Sequence, residues 1–425
     1  MANTAHSGWI WRTGLALVLL LALAIATAQT QAPKFKVLHT FHGRDGGGPE
    51  GVLMLDAVGN IYGTAEGGTK CGKLSGCGTA FKLNKAGRQV WLYSFGGGNG
   101  RWPAAGLLRE AAGNLFGTTV RGGDVNCVPP EGCGVVFKLS KTGKEETVLY
   151  QFKGSPDGAD PESLLVEDKA GNLYGTTEYG GTGNNGGTIF KVDKEGQETV
   201  LYSFCSQTRC SDGQYPDPGV IRDAAGNLYG VAGSGGGSDK GVVYELDAAG
   251  SETILHNFEG GADGAQPVSV LLLDSQGNLY GTTENGGNGQ CGGTGCGTVF
   301  KLSPQSGGGW TEKVLYAFCS LSDCTDGEEP GTGPLVRDSA GNLYGTTIYG
   351  GTSRNCAGSG CGAVFKLEPN GEETVLHSFT GGSDGAYPIA GLTVDSRGSL
   401  YGTTESGGAT CHPSYTCGVV FEITP

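Results

Sequence analysis

Six aspartates recur at equivalent places along the chain, each followed by glycine, and their carboxylates could hold a metal ion. If the segments that carry them run toward one point, the carboxylates would form a ring, and oxygen ligands of this kind suit calcium. The alternative is that Asp-Gly only makes a turn before the proline that follows. The candidate metal ligands, with calcium as the candidate cofactor, are Asp45, Asp157, Asp212, Asp263, Asp326 and Asp384.

A second set of acids follows the recurring phrase GNLYGTT and its variants: Glu66, Glu178, Glu284 and Glu405. These glutamates are expected on the same face as the aspartates, where they either join the ring or stand in solvent. Paired carboxylates also catalyse glycoside hydrolysis. A catalytic pair should interrupt the repeat, whereas these acids follow it, so no catalytic residue is predicted.

Aromatic residues near these acids are the candidate ligand-binding residues. Between Asp-Gly or Asn-Gly and the proline the copies differ, and three of them carry Trp102, Tyr215 or Tyr387. Tyr179 and Tyr349 precede the next glycine-rich loop. Aromatic rings beside carboxylates suit carbohydrate or peptide surfaces. The alternative is that these rings pack against their own loops.

The histidines show no catalytic pairing. His39, His256 and His377 occupy a position that holds tyrosine in other copies, which indicates a packing position with a polar tip. No Ser-His-Asp or Cys-His arrangement stands out.

The fourteen cysteines fall into seven close pairs, which predict disulfides that close short loops in an oxidising compartment. The chain-entropy model gives each about 2 kcal/mol. The alternative is zinc, which needs four ligands, so two loops would have to converge. The pairs are Cys71/Cys77, Cys127/Cys133, Cys205/Cys210, Cys291/Cys296, Cys319/Cys324, Cys356/Cys361 and Cys411/Cys417.

The elements that must position these residues are repeated. The phrase recurs seven times, at intervals of 51 to 64 residues, as expected for repeated supersecondary units. Each unit has four strand-like segments, for example GLTVD, NLYGTT, GTVFKL and TVLYSF. Seven units of four antiparallel strands predict an all-β, seven-bladed β-propeller. A β-solenoid and paired sandwiches are the alternatives.

The ends of the repeat region favour the closed ring. A lone fourth strand, KVLHTF (36–41), opens it, and a third strand, GVVFEI (418–423), ends it. The N-terminal strand would thus complete the last blade and hide its edge. The same order puts all fourteen cysteines in the loops of one face, where a propeller is expected to bind.

The pattern D-x-x-G-N-L-Y-G-T-T, G-x-V-F-K-L, E-T-V-L-Y-S-F and D-G-A-x-P resembles the GloVer tandem-repeat family of bacterial exported proteins. The resemblance runs from about Lys34 to Pro425. It implies export and, in typical members, a C-terminal surface anchor. No anchor is visible in this sequence, which favours release or periplasmic retention.

The N-terminus is typical of a secretory signal peptide, with Arg12, the apolar stretch GLALVLLLALAIA and the cleavage site ATA. An uncleaved membrane anchor is the alternative. The predicted organisation is a signal peptide at 1–28, a linker at 29–35 and the propeller at 36–425. The formal net charge of −14 argues against nucleic acid and anionic membranes as partners. After signal cleavage no membrane span is expected.

Together these features predict a secreted, extracellular or periplasmic, non-enzymatic propeller that binds an extracellular polysaccharide or protein through its disulfide-closed loop face. The alternatives are a polysaccharide hydrolase or lyase that uses acids of the same face, and a structural or adhesive surface component. An asymmetric cluster of acid and base at the channel mouth would favour the enzyme. A ring of like residues would favour binding or structure.

Overall fold

The computed structural model describes residues 1–2, 32–68, 76–287, 291–356, 358–412 and 415–424. The predicted signal peptide therefore lies almost wholly outside the described residues. From Lys34 onward the described chain is β-structure and loops, with short 3-10 turns at Thr208–Cys210, Gly261–Asp263, Cys291–Gly293 and Ser322–Cys324.

The described strands form seven antiparallel four-stranded blades, and in the first six the strand order follows the chain. The first strands are Met54–Leu55, Leu108–Arg109, Val166–Glu167, Val220–Arg222, Leu272–Leu273, Val336–Arg337 and Thr393–Val394. The second strands are Ile61–Ala65, Leu115–Thr119, Leu173–Thr177, Leu228–Ala232, Leu279–Asn285, Leu343–Tyr349 and Leu400–Thr404. Blades 1 to 7 are numbered in this order.

The third strands are Thr79–Leu83, Val135–Leu139, Thr188–Val192, Val242–Leu246, Thr298–Pro304, Ala363–Leu367 and Val419–Thr424. The fourth strands of blades 1 to 6 are Gln89–Ser94, Glu146–Gln151, Glu198–Ser203, Glu252–Asn257, Trp310–Ala317 and Glu373–Ser378. Short extra strands lie in the loops at Gly158–Ala159, Tyr179–Gly180, Ala265–Pro267, Glu328–Pro330, Thr410–His412 and Tyr415–Thr416.

The fourth strand of blade 7 is the N-terminal strand Lys34–Thr40, which pairs with Val419–Thr424 in a register that sets Lys34 opposite Thr424. The last blade is thus built from both ends of the propeller, and its sheet has no open seam. The predicted fold and its mode of closure are confirmed.

Aromatic pairs join each blade to the next. A buried ring from the third strand of one blade packs against a buried phenylalanine just after the fourth strand of the preceding blade. Such pairs contribute about 0.5–1.5 kcal/mol each beyond the buried area. With ring centroids 4.8–5.3 Å apart, the pairs are Phe41–Phe81, Phe95–Phe137, Phe152–Phe190, Phe204–Tyr244, Phe258–Phe300, Phe318–Phe365 and Phe379–Phe421.

The recurring phrase has a structural role in every part. In blade 3, Asp168 accepts hydrogen bonds from the backbone N–H of Asn172 at 2.9 Å and from the hydroxyl of Tyr174 at 3.0 Å, which closes the turn before the second strand. A Cβ on Gly175 would lie 2.8 Å from Cζ of Phe190, so only glycine lets that ring cross the strand. In blade 1 the equivalent of the first threonine, Thr64, donates to the carbonyl of Ala105 in blade 2 at 2.7 Å.

Within the described residues, the structure has no helix with the length and apolar character needed to cross a membrane.

Candidate functional site

The six Asp-Gly aspartates hold their own loops in shape. Each carboxylate binds the tyrosine or histidine near the end of the preceding fourth strand, and Asn99 does the same with Tyr93 at 2.8 Å. Among the described residues, the structure does not group three of these carboxylates around one point. The pairs are His39–Asp45 (3.1 Å), Tyr150–Asp157 (2.9 Å), Tyr202–Asp212 (3.0 Å), His256–Asp263 (3.1 Å), Tyr316–Asp326 (2.8 Å) and His377–Asp384 (3.3 Å).

A glutamate from the next blade approaches several of these pairs. Glu146, for example, accepts a hydrogen bond from Tyr93 at 2.9 Å. The pKa of Glu198 is raised to about 7 by burial and by Asp157, and the same pattern raises the pKa of Glu252 to about 7. Because the arrangement repeats between blades, it indicates a structural role for these glutamates and not a binding or catalytic one.

The five predicted aromatic residues form two ring pairs and one cation–π contact. Tyr179 packs edge-on against Tyr215, and Tyr349 against Tyr387, each pair with centroids 5.5 Å apart. The guanidinium of Arg101 lies 4.3 Å from the ring centroid of Trp102. The structure therefore brings four of the five together as two pairs on the loop face, and Trp102 contacts Arg101 instead.

In every blade, the residue before the proline of the repeat has a left-handed backbone. One of the seven is a glycine, Gly48. The other six have φ between 53° and 63°: Trp102, Asp160, Tyr215, Gln266, Glu329 and Tyr387. L-residues adopt this region at a cost, and such outliers persist where the surroundings impose them, often at functional sites. Here the imposing contact is a backbone hydrogen bond to the preceding blade, such as Tyr215 N–H to the carbonyl of Gly186 at 2.8 Å.

The segments around these prolines surround a cavity of about 190 Å³. Its walls come from blades 1 to 6 and include Glu50, Glu162, Tyr215 and Asp217. Residues of six blades meet only near the axis of a propeller, so the cavity lies at the central channel. Its position just before the first strands and beside the ends of the second strands puts it on the disulfide-closed loop face.

Burial and like charge raise the pKa values of the acids around this cavity. Burial, with Glu66, Glu405 and Glu162 nearby, raises the pKa of Glu50 to about 8. The pKa of Glu162 is raised to about 7 by burial, with Glu178 as the largest charged contributor. Carboxylates that repel each other in a low dielectric favour the neutral form. Repulsion among these acids thus adds to the effect of their burial.

Asp217 is the third acid that lines this cavity. Burial, together with Glu178 and Glu162, raises its pKa well above the ordinary value. Its Oδ1 atom is buried and has no hydrogen-bond partner among the described residues. A buried carboxylate oxygen without a donor is costly, and here it borders the cavity.

One arginine faces this cluster, from blade 2. Arg121 forms an ion pair with Asp160, and its Nε atom lies 3.6 Å from Glu131. The pKa of Arg121 is raised, chiefly by its hydrogen bond to Asp160. Because the guanidinium is already engaged by Asp160, it leaves Glu50 and Asp217 uncompensated.

Sequence reasoning missed Glu50, Glu162 and Asp217. All three stand directly after the proline of the repeat, where other blades carry Ala104, Val268, Gly331 or Ile389. An acid at a position that is apolar or glycine in the other blades is the sequence feature that could have identified these three residues. The four glutamates after the phrase were noticed, and the charges of Glu66, Glu178 and Glu405 act on this cluster.

The predicted disulfides surround the same face. Five pairs are bonded in the structure: Cys127–Cys133, Cys205–Cys210, Cys291–Cys296, Cys319–Cys324 and Cys356–Cys361. Cys77 and Cys417 are also disulfide-bonded. Their predicted partners, Cys71 and the side chain of Cys411, lie outside the described residues.

A model of the Gloeobacter/Verrucomicrobia repeat matches residues 24–216 and 205–421. The chain belongs to this family. The resemblance of the repeated phrases to the GloVer repeat is confirmed. No curated protein sequence matches the chain.

The fold of this member of the repeat family is similar to that of several solved structures. Virginiamycin B lyase from Staphylococcus aureus aligns with a TM-score of 0.58 and 14% identity, over 92% of this chain and 99% of that one. A fungal alcohol oxidase of the AA5 family, in complex with copper, aligns with a TM-score of 0.58 and 12% identity, over 93% and 77%. Identities this low show the fold alone, so function must be argued from the site.

Proposed function

We propose that this protein is an exported, non-enzymatic binding propeller that holds an extracellular polysaccharide or protein on its disulfide-closed loop face. We further propose that an ammonium group of that ligand enters the acidic cavity at the channel mouth. The observation that carries the proposal is the buried, unpartnered carboxylate oxygen of Asp217 beside the cavity.

Charge determines the kind of ligand. Glu50, Glu162 and Asp217 approach one cavity from three blades, and burial together with repulsion between carboxylates raises their pKa values. A cation would remove that repulsion and supply the missing partner of Asp217. The net charge of −14 would draw cationic ligands toward the protein.

Size and shape favour a single charged group. The cavity of about 190 Å³ is smaller than the ~300–1,000 Å³ typical of sites that enclose a whole small ligand. Tyr215 lines it, and an aromatic face beside carboxylates suits an ammonium group. The remainder of a polymer would then lie across the Tyr179–Tyr215 and Tyr349–Tyr387 pairs.

The proposed export rests on the N-terminal signal pattern, and the disulfides accord with an oxidising compartment. Calcium at the six aspartates is not part of this proposal, because each of those carboxylates has a partner in its own loop.

The experiment is calorimetric titration of the mature protein with two matched polymer pairs: glucosamine oligomers against their N-acetylated forms, and a lysine peptide against its acetylated form. We expect binding of the ammonium form of one pair and at least tenfold weaker binding of its acetylated form. The pair that binds distinguishes polysaccharide from protein.

Asp217→Asn and Glu162→Gln should each weaken that binding about tenfold. The matched control is Glu195→Gln, which removes an exposed glutamate from a turn between the third and fourth strands, on the other face. Equal binding of acetylated and free amines, or equal loss in all three variants, would refute the proposal.

A second candidate, the hydrolase or lyase, is favoured by two observations. The acids break the sevenfold repeat, and the pKa of Glu162, about 7, suits a group that gives and takes protons near neutral pH. Incubation of the glycans that bind, followed by mass spectrometry, separates the two. Shortened or unsaturated products that are absent with the Glu162→Gln variant would show that the protein is an enzyme and would refute the non-enzymatic proposal.

A further inference from the structure

Blade 5 alone carries a cysteine pair in both of its loops on the disulfide face. Cys291 and Cys296 lie between its second and third strands, and Cys319 and Cys324 follow its fourth strand. The four sulfur atoms lie within 4.8 Å of one another. The remaining pairs stand singly in their blades.

The strand register explains this convergence. The third and fourth strands of blade 5 pair Thr298 with Ala317, and the N–H of Phe318 continues the ladder to the carbonyl of Gly297 at 3.0 Å. Cys296 and Cys319 are the next residues on each side. Two loops that leave adjacent ends of one hairpin thus carry their disulfides into contact.

We propose that, once these two disulfides are reduced, the four cysteines bind one zinc ion as a tetrathiolate. A tetrahedral site with Zn–S bonds of about 2.3 Å sets its sulfur atoms about 3.8 Å apart. The upper limit of the observed separations, 4.8 Å, exceeds that spacing by about 1 Å. The sulfurs of Cys291–Cys296 and of Cys319–Cys324, which are bonded in the structure, would move apart to reach it after reduction. Sulfur ligands without oxygen or nitrogen donors suit zinc and other soft cations.

The loop has room to make this adjustment. A Cβ on Gly292 or Gly293 would meet nothing within 4 Å, so the backbone next to Cys291 is not packed against the rest of the blade. Thr294 and Gly295, in contrast, are held against Gly286. Cys296 is fully buried and anchors the site to the third strand.

The chemistry balances with a trialkylphosphine as reductant. Each disulfide, one phosphine and one water give two thiols and one phosphine oxide. Binding of Zn²⁺ by four thiols then releases four protons and leaves a tetrathiolate with a net charge of −2. Reoxidation by an added low-molecular-weight disulfide would give back the two protein disulfides, reduce two molecules of that oxidant to four thiols and release the zinc, so zinc content would follow the redox state of blade 5.

The test uses the mature protein, reduced with a trialkylphosphine under argon and titrated with Co²⁺ as a spectroscopic substitute and then with Zn²⁺. We expect one equivalent of cobalt, with the visible bands of a tetrahedral thiolate, and full displacement by zinc. Cys291→Ser combined with Cys319→Ser should abolish the bands. The matched control, Cys205→Ser with Cys210→Ser, removes the disulfide that stands alone in blade 3 and should keep them.

Near-ultraviolet circular dichroism is recorded in parallel. A reduced protein that loses its fold and binds no cobalt contradicts the proposal, since the site should form from loops that the blade still holds. Several equivalents of cobalt, or bands that persist in the Cys291→Ser, Cys319→Ser variant, would show unspecific thiol binding and overturn it.

Discussion

Phe35 stacks on His377 with ring centroids 3.7 Å apart and planes inclined by 6°. The two residues come from opposite ends of the propeller sequence, since Phe35 lies in the strand that closes blade 7 and His377 in the fourth strand of blade 6. Blades 2 to 6 place a glutamate where Phe35 stands, as Glu146 does beside Tyr93, and blade 1 places Gln89 there. The closing contact is therefore apolar where its equivalents are polar.

Phe35→Ala should weaken the closure of the ring and expose His377. Burial is the main cause that lowers the pKa of His377, so the variant should bring that pKa back up toward its ordinary value. The loss of buried ring area should cost about 2 kcal/mol. Histidine NMR titration and chemical denaturation measure the two effects.

The sign of the pH effect follows from the same shift. A histidine whose folded pKa is lowered binds more protons when unfolded, so wild-type stability from this group is lost as pH falls below about 6.5. Phe35→Ala should reduce that loss. Val90→Ala, at an exposed strand position, is the control, and an equal change in His377 there would contradict the assignment.

The fold was predictable because its information is local and repeated. Phrases such as NLYGTT and GTVFKL set the strands, and the incomplete ends required that Lys34–Thr40 complete the last blade. The acidic cavity was not predicted, because the approach of Glu50, Glu162 and Asp217 depends on how six blades converge at the axis. Their shared place after proline marked them as unusual but not as neighbours.

Glu50→Gln should stabilise the protein at alkaline pH. Because the folded pKa of Glu50 is about 8, against 4.5 ordinarily, its proton contributes stability that is complete below pH 4.5 and lost as pH rises through 8. Glutamine keeps the neutral form at every pH. We expect equal stability at pH 4.5 and a gain on the order of 1 kcal/mol at pH 8.5, after allowance for solvent screening.

Thermal unfolding across this pH range measures the effect, with Glu195→Gln as the control for removing an exposed charge. The groups that act on Glu50 are Glu66, Glu405 and Glu162. If both variants gain equal stability at pH 8.5, the gain comes from the lower net negative charge of the protein and not from the cluster around Glu50.

Mass mapping of the unreduced mature protein should find seven short-range disulfides. The structure joins five pairs and bonds Cys77 and Cys417, so Cys71–Cys77 and Cys411–Cys417 are the links still to be demonstrated. Each link closes a ring of a few residues and should contribute about 2 kcal/mol. Links between Cys291 or Cys296 and the Cys319–Cys324 loop would show exchange between neighbouring disulfides in blade 5 instead.

Gly175→Ala should test why the phrase GNLYGTT keeps its inner glycine. The added methyl would lie 2.7 Å from Oγ of Ser163 and 2.8 Å from Cζ of Phe190, and Phe190 is fully buried between two blades. Overpacking of this kind costs about 1–3 kcal/mol. The matched control is Gly98→Ala, at a loop position where the same methyl would meet nothing within 4 Å. Chemical denaturation should show a loss confined to Gly175→Ala. Equal stability of both variants would mean that the glycine serves the chain in some way other than close packing against the ring.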